Sequence, residues 1–209
     1  MFRLVCLIIG YLIGCIQFAF IVGKIMGKID IRDFGSGNAG TTNVTRVLGA
    51  KAGAIVFVCD ILKGIIAFCV CSVIYNGGGS FFGGESILPG LYAGVGVILG
   101  HDFPFYLRFR GGKGIASTVG IIFCIDPVVA VVTYIVGLGS AAITKYISLC
   151  SLLMTLVCPV MMIVRGMETE AIILMFAVMA LAYYQHRGNI KRLLNGTENK
   201  FGVKKKDKE

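Results

Sequence analysis

Seven stretches of this chain carry no formal charge: 4–23, 64–84, 86–100, 114–125, 128–144, 146–164 and 171–185. A water-soluble domain has no reason to keep acids and bases out of so much of its length. A chain that crosses hydrocarbon does, at roughly 20 apolar residues per helical crossing. Composition agrees, with 56% hydrophobic and only 15% charged residues and a mean hydropathy of +0.85. Charge in soluble domains is about 25%. The 29 glycines in 209 residues also suit membrane helices, where glycine is frequent. The residues therefore predict an all-α integral membrane protein. Extending the second run back through AGAIVFVCDILK gives a helix over about 52–75 that contains Asp60 and Lys63. Asp126-Pro127 separates two segments, because proline disfavours a helical residue before it. About seven transmembrane helices follow; a five-span alternative treats 114–143 as one long or re-entrant unit.

Basic residues set the orientation. With the N-terminus outside, the inner segments hold Lys24, Lys28, Arg32, Arg46, Lys51, Arg108, Arg110, Lys113 and Lys145. The C-terminal stretch adds Arg187, Lys191, Arg192, Lys200, Lys204, Lys205, Lys206 and Lys208. Only Arg3 and Arg165 remain outside, beside Glu85, Asp126, Glu168 and Glu170. Seventeen against two obeys the positive-inside bias and puts the C-terminus in the cytoplasm. The net charge of +9 thus belongs to a basic cytoplasmic face, not to a nucleic-acid groove. Residues 1–200 read as one polytopic membrane domain and 201–209 as a basic cytoplasmic tail near anionic headgroups or in solvent.

Several motif readings fail on context. The eight cysteines lie in apolar stretches with no C-x-x-C pair, so they read as packing residues, and no metal or cofactor is expected. Leu12-Ile13-Gly14-Cys15 resembles a lipoprotein processing site, but the apolar run continues past Cys15, as an uncleaved span would. Gly35-x-Gly37-x-x-Gly40 has dinucleotide-fingerprint spacing, yet no βαβ unit surrounds it. GGKG is not a Walker loop, since Leu107 and Gly114 occupy the positions that would need glycine and Ser/Thr.

Three polar clusters fall on the same side: GSGNAGTTNVTR at 35–46, HDFPFYLRFRGGKGIAST at 101–118 and HRGNIKRLLNGTENK at 186–200. Each mixes glycines, hydroxyl or amide side chains and basic residues, as an anion site requires. Glycine lets backbone N–H groups converge on a phosphate. Lys113 would supply a point charge, and Gly114 opens a helix whose N-terminal dipole adds to it. Arg46 would grip a second phosphate, with Ser36, Thr42 and Asn43 orienting oxygens. Asp60 and Lys63 lie one helical turn apart and either neutralise each other or let Lys63 also serve the anion. His101 and His186 each open a cluster, as a general base or as a hydrogen-bonded helix-end histidine.

At these residues the chain resembles a known family. GSGNAGTTNVTR, D-x-x-K-G at 60–64, GHDFPFYLRFRGGKGIAST and HRGNIKRLLNGTE are similar, in order, to the signature blocks of the membrane-integral bacterial acyl-phosphate:glycerol-3-phosphate acyltransferases. The resemblance implies seven membrane helices in the bacterial plasma membrane and an active site facing the cytoplasm. It implies transfer of an acyl group from acyl phosphate to the sn-1 hydroxyl of glycerol 3-phosphate, with lysophosphatidic acid and phosphate as products. A soluble phosphate acyltransferase that makes acyl phosphate is the implied partner.

Matching positions give Ser36, Arg46, Lys113, Ser148, His186 and Asn189 as the core of the site. Thr42, Asn43, Lys63, His101 and the backbone of Gly111, Gly112, Lys113 and Gly114 are its further substrate contacts. KYISLCS around Ser148 matches the family's serine-rich stretch only in part, with Cys150 where a small polar residue would sit. The H-x-x-x-x-D machinery of other glycerolipid acyltransferases is absent, since the aspartate position counted from His101 holds Tyr106. The rival reading is a transporter or channel for an organic phosphate. Such proteins place sites near the midplane and often carry internal repeats, and neither feature is visible in the sequence. A scaffold without chemistry would leave three anion-type loops unexplained.

Overall fold

The structure is a computed structural model that describes residues 1–76 and 86–202. The end of the second uncharged run, Glu85 and the basic residues from 203 onward lie outside the described residues. The regular elements among the described residues are all helices, including two short 3₁₀ turns at Ile31–Asp33 and Phe105–Leu107. They fall into two compact units, Met1–Pro127 and Val128–Glu209.

The first unit contains α1 (Phe2–Gly14), α2 (Phe18–Gly27), α3 (Thr41–Leu48), α4 (Ala50–Asn76), α5 (Leu88–Asp102) and α6 (Ile115–Ile125). Its centre is α5, which packs on α1, α4 and α6 and is buried along nearly its whole length. Small residues make this possible. A Cβ at Gly10 or Gly14 of α1 would run into the Ala93 or Val97 carbonyl, and one at Gly96 or Gly100 into the Leu7 or Tyr11 carbonyl. The two backbones therefore touch directly, as small-x-x-x-small seams allow between membrane helices. In α4 the buried positions Val56, Asp60, Lys63, Ala67 and Cys71 recur at helical spacing. Ile55, Val58, Leu62, Ile66 and Val73 stay exposed on the opposite side. A soluble monomer seldom exposes so continuous an apolar face, whereas a lipid-facing helix must.

The second unit contains α7 (Pro127–Thr144, continuous from the junction), α8 (Ile147–Val164), α9 (Thr169–Gln185) and α10 (Arg187–Leu194). Here α8 packs on α9, and the short α10 lies against both. Among the described residues, Phe2–Gly27, Ala50–Tyr75, Pro127–Thr144 and Ile147–Val164 are long and apolar enough to cross a membrane. Ile115–Ile125 and Thr169–Gln185 are shorter apolar helices. Asp126 separates α6 from α7, as the Asp-Pro pair predicts.

The uncharged run 4–23 is not one helix. It breaks at 15–17, between α1 and α2, and buried Gln17 fills the break. The Gln17 amide donates to the carbonyls of Gly14 (3.4 Å), Gly100 (3.3 Å) and His101 (2.9 Å). Carbonyls released by two helix ends thus find donors without water, which a low-dielectric setting demands.

Candidate active site

The helix break gathers a polar cluster in the first unit. Lys63 Nζ donates to the carbonyls of Ile16 (3.0 Å) and Gly14 (3.3 Å). The same ammonium lies 2.8 Å from Asp60 Oδ1 and 2.8 Å from His101 Nδ1. Asp60, Lys63 and His101 are all buried. Two tyrosines close the cluster, with Tyr106 donating to the Cys15 carbonyl (2.8 Å) and Tyr11 to that of Phe103 (2.9 Å).

Past α5 the chain folds back on itself. Arg108 and Phe109 both take left-handed φ, 56° and 59°, which turns the loop sharply. The Gly111 and Gly112 N–H groups then donate to the Asp102 (3.1 Å) and His101 (3.0 Å) carbonyls. These two amides are therefore committed within the loop. The first turn of α6 follows at Ile115, where the leading amides of a helix lie beyond its own hydrogen-bond ladder. Gly114 caps α6 with φ 68°.

The second cluster is fastened to this loop, since the Ala39 N–H donates to the Gly111 carbonyl at 3.3 Å. Gly35 and Gly37 have φ of 63° and 72°, a region open to glycine. Asn43 is buried and holds the turn together. Its Oδ1 accepts from the Ser36 N–H (2.8 Å), and its Nδ2 donates to the Ile31 (3.1 Å) and Phe34 (2.9 Å) carbonyls. Arg46 reaches Oδ1 with one nitrogen at 3.5 Å, and Ser36, Thr42 and Arg46 are exposed. Nearby, hydrogen bonds from Arg32 hold Asp30 below the usual carboxylate range, and Arg32 also donates to the Leu107 carbonyl at 3.0 Å. The first unit therefore brings together Ser36, Thr42, Asn43, Arg46, Lys63, His101 and the 111–114 loop.

The second unit assembles Ser148 and Asn189 around an acid that is not among the expected site residues, Glu198. Glu198 accepts from Ser148 Oγ (2.9 Å), Asn189 Nδ2 (2.7 Å) and Arg192 Nε (2.6 Å). Burial pushes the Glu198 carboxyl up, but hydrogen bonds from Asn189, Arg192 and Ser148 outweigh it and hold it below the ordinary range. In the sequence Glu198 closes the block HRGNIKRLLNGTE, a lone acid among the basic residues of 186–200. His186 is buried where α9 meets α10. Its Nδ1 faces the Ala182 carbonyl at 2.8 Å. A carbonyl only accepts, so Nδ1 carries the proton and Nε2 is the basic nitrogen.

Basic and hydroxyl side chains around glycine turns, at the ends of apolar helices, suit a phosphate-bearing lipid precursor. Among the described residues no group of His, Cys, Asp and Glu has the arrangement of a metal site.

Comparison with known proteins gives this chemistry a lineage. A family model described as glycerol-3-phosphate acyltransferase matches residues 4–196. Proteins named glycerol-3-phosphate acyltransferase are 42% identical over 204 residues in Thermoanaerobacter pseudethanolicus, covering 98% of each chain. One in Clostridioides difficile is 41% identical over 198 residues, covering 95% of each. The crystal structure of PlsY (YgiH), an integral membrane glycerol 3-phosphate acyltransferase in its glycerol 3-phosphate form, superposes with a TM-score of 0.84. It is 37% identical, with 96% of both chains covered. Its lysophosphatidic acid form gives 0.81 at the same identity, covering 96% of this chain and 95% of that one. With likeness in sequence and in fold running almost end to end, the chain belongs to the glycerol-3-phosphate acyltransferase family.

Proposed function

We propose that the protein transfers a fatty acyl group from acyl phosphate to the sn-1 hydroxyl of glycerol 3-phosphate. The observation that carries this reading is the near full-length likeness to PlsY, solved with glycerol 3-phosphate and with lysophosphatidic acid. Residues 1–200 act as one acyltransferase domain. The glycerol oxygen bonds to the acyl carbon, the acyl–phosphate bond breaks, and the hydroxyl proton leaves on a phosphate oxygen. Products are lysophosphatidic acid and inorganic phosphate. Because the donor is already activated, the protein's task is alignment and charge stabilisation rather than strong base catalysis. Ser36, Arg46, Lys113, His186 and Asn189 carry that task. Thr42, Asn43, Ser148 and the glycine loop shape their surroundings.

Purified protein in detergent, given acyl phosphate and glycerol 3-phosphate, is expected to form lysophosphatidic acid. Acyl-CoA and acyl carrier protein should not replace the donor, and chelators should leave the rate unchanged. Efficient transfer from acyl-CoA would overturn the donor assignment. Transport of an organic phosphate without acylation would favour the carrier reading.

The proposed setting is the bacterial plasma membrane, with the polar clusters facing a cytoplasm where a soluble partner makes acyl phosphate. Cysteines introduced at Ser36, Arg110 and Asn195 are expected to react only with reagents that reach the cytoplasm. Labelling of Ser36 and Asn195 from opposite faces would refute that topology.

A further inference from the structure

His101 holds the glycine loop at two points. Its carbonyl accepts the Gly112 N–H at 3.0 Å. Its ring lies against the same residue, so that a Cβ on Gly112 would land on Nε2. The Ala39 carbonyl oxygen stands 2.8 Å from that Cβ position, and the Ala39 N–H binds the Gly111 carbonyl. The imidazole thus occupies the space that a side chain at 112 would need, between the two polar loops of the first unit.

What fixes the ring is Lys63. An ammonium has three donors and no lone pair, so the 2.8 Å contact requires His101 Nδ1 to accept. The neutral ring then carries its proton on Nε2, the atom facing Gly112. The three hydrogens of Lys63 go to His101 Nδ1 and the Ile16 and Gly14 carbonyls, and its charge is paired with Asp60 Oδ1. Nothing remains for it to offer a substrate phosphate.

The geometry points to His101 as a positioning residue that clamps the Gly111–Gly114 loop, with Lys63 acting through that ring rather than on a substrate. The assignment rests on the acyl-transfer reading above. His101→Asn keeps an acceptor for Lys63 near the Nδ1 position but withdraws the atoms that meet Gly112. The variant is expected to insert at normal abundance with a thermal midpoint near wild type. KM for at least one phosphate substrate should rise tenfold or more while kcat stays within threefold. Adding Gly112→Ala to it should cost at most a third of what Gly112→Ala costs the wild type, because the ring is gone and only the Ala39 carbonyl still meets the Cβ; such non-additivity marks a direct contact. Asp60→Asn with Lys63→Met removes the charge pair without stranding either charge. That double variant should reproduce the KM rise and add nothing to His101→Asn.

Both KM values within twofold of wild type in His101→Asn would overturn the proposal, as would costs of His101→Asn and Gly112→Ala that multiply. Should His101→Asn fail to accumulate, His101→Gln decides: its amide reaches the Nε2 position, so KM should hold within threefold. A tenfold rise in well-folded His101→Gln would overturn the clamp. A wild type that makes no lysophosphatidic acid refutes the acyl-transfer reading instead. The clamp is then read from calorimetric binding of glycerol 3-phosphate, weakened tenfold in His101→Asn if it holds and unchanged if it does not.

Discussion

Lys113→Ala is expected to lower acyl transfer by about 10- to 100-fold, the effect of losing one charge-assisted contact of roughly 1.5–3 kcal/mol. If that contact strengthens as charge builds on the tetrahedral oxygen or the departing phosphate, the loss should reach about 10²–10³-fold. Lys113→Arg should recover little, because a planar fork does not replace a compact ammonium on a short loop. Gly112→Ala keeps every charge, yet its Cβ meets the His101 ring and the Ala39 carbonyl. It should therefore be severely impaired while still entering the membrane. Acyl transfer by the two variants, each checked for membrane abundance, gives the answer. Activity within twofold of wild type for both would remove the loop from the mechanism.

Removal of Glu198 should produce the second large effect. Its carboxylate takes hydrogen bonds from Ser148 Oγ, Asn189 Nδ2 and Arg192 Nε. Glu198→Ala leaves the buried Ser148 hydroxyl without this acceptor and lets Asn189 turn away. One hydrogen bond to a charged group is worth about 1.5–3 kcal/mol, and three sharing a carboxylate will not add simply. A fall of roughly 3 kcal/mol in stability and at least a tenfold loss of acyl transfer are expected. The native contacts hold this carboxyl below its ordinary value of 4.5. Its contribution is therefore full above about pH 4.5 and is lost as pH falls through the lower native value. Glu198→Gln should flatten that acid limb of the detergent melting profile. An unchanged midpoint in Glu198→Ala would show that the acid fastens nothing.

Much of this architecture is legible in the residues, because crossing a bilayer imposes long uncharged runs and proline disfavours a helical residue before it, although α8 runs on through Pro159. The α6–α7 separation at Asp126 follows from that logic. The α1–α2 break does not, since hydropathy records what a side chain is and not where the backbone ladder stops. Gln17 alone, an amide inside the run 4–23, hints at carbonyls in need of a donor. The polar clusters are equally plain in the sequence as gatherings of glycine, amide, hydroxyl and basic residues. Which members have capacity left for a substrate is not. Asn43 reads as a substrate contact, and only the structure shows that its amide also ties Ile31, Phe34 and Ser36 together. Lys63 reads either as the partner of Asp60 or as a further ligand of the anion, and the structure sets it against Asp60, His101 and the Gly14 and Ile16 carbonyls. Glu198 closes the block HRGNIKRLLNGTE, but nothing in that block shows that it receives Ser148 and Asn189, which lie 50 and 9 residues away.

The seam between α1 and α5 bears on how such a chain is made. With 15 residues, α5 is shorter than the roughly 20 that span a bilayer, and it ends in His101 and Asp102. Alone in lipid it would be poorly matched in length and would expose polar groups. Two of the surfaces that shelter it belong to α1 and α4, which leave the ribosome first. The glycines of α1 and the polar face of α4 are thus already waiting when α5 is synthesised, so translation order supplies its berth before its arrival.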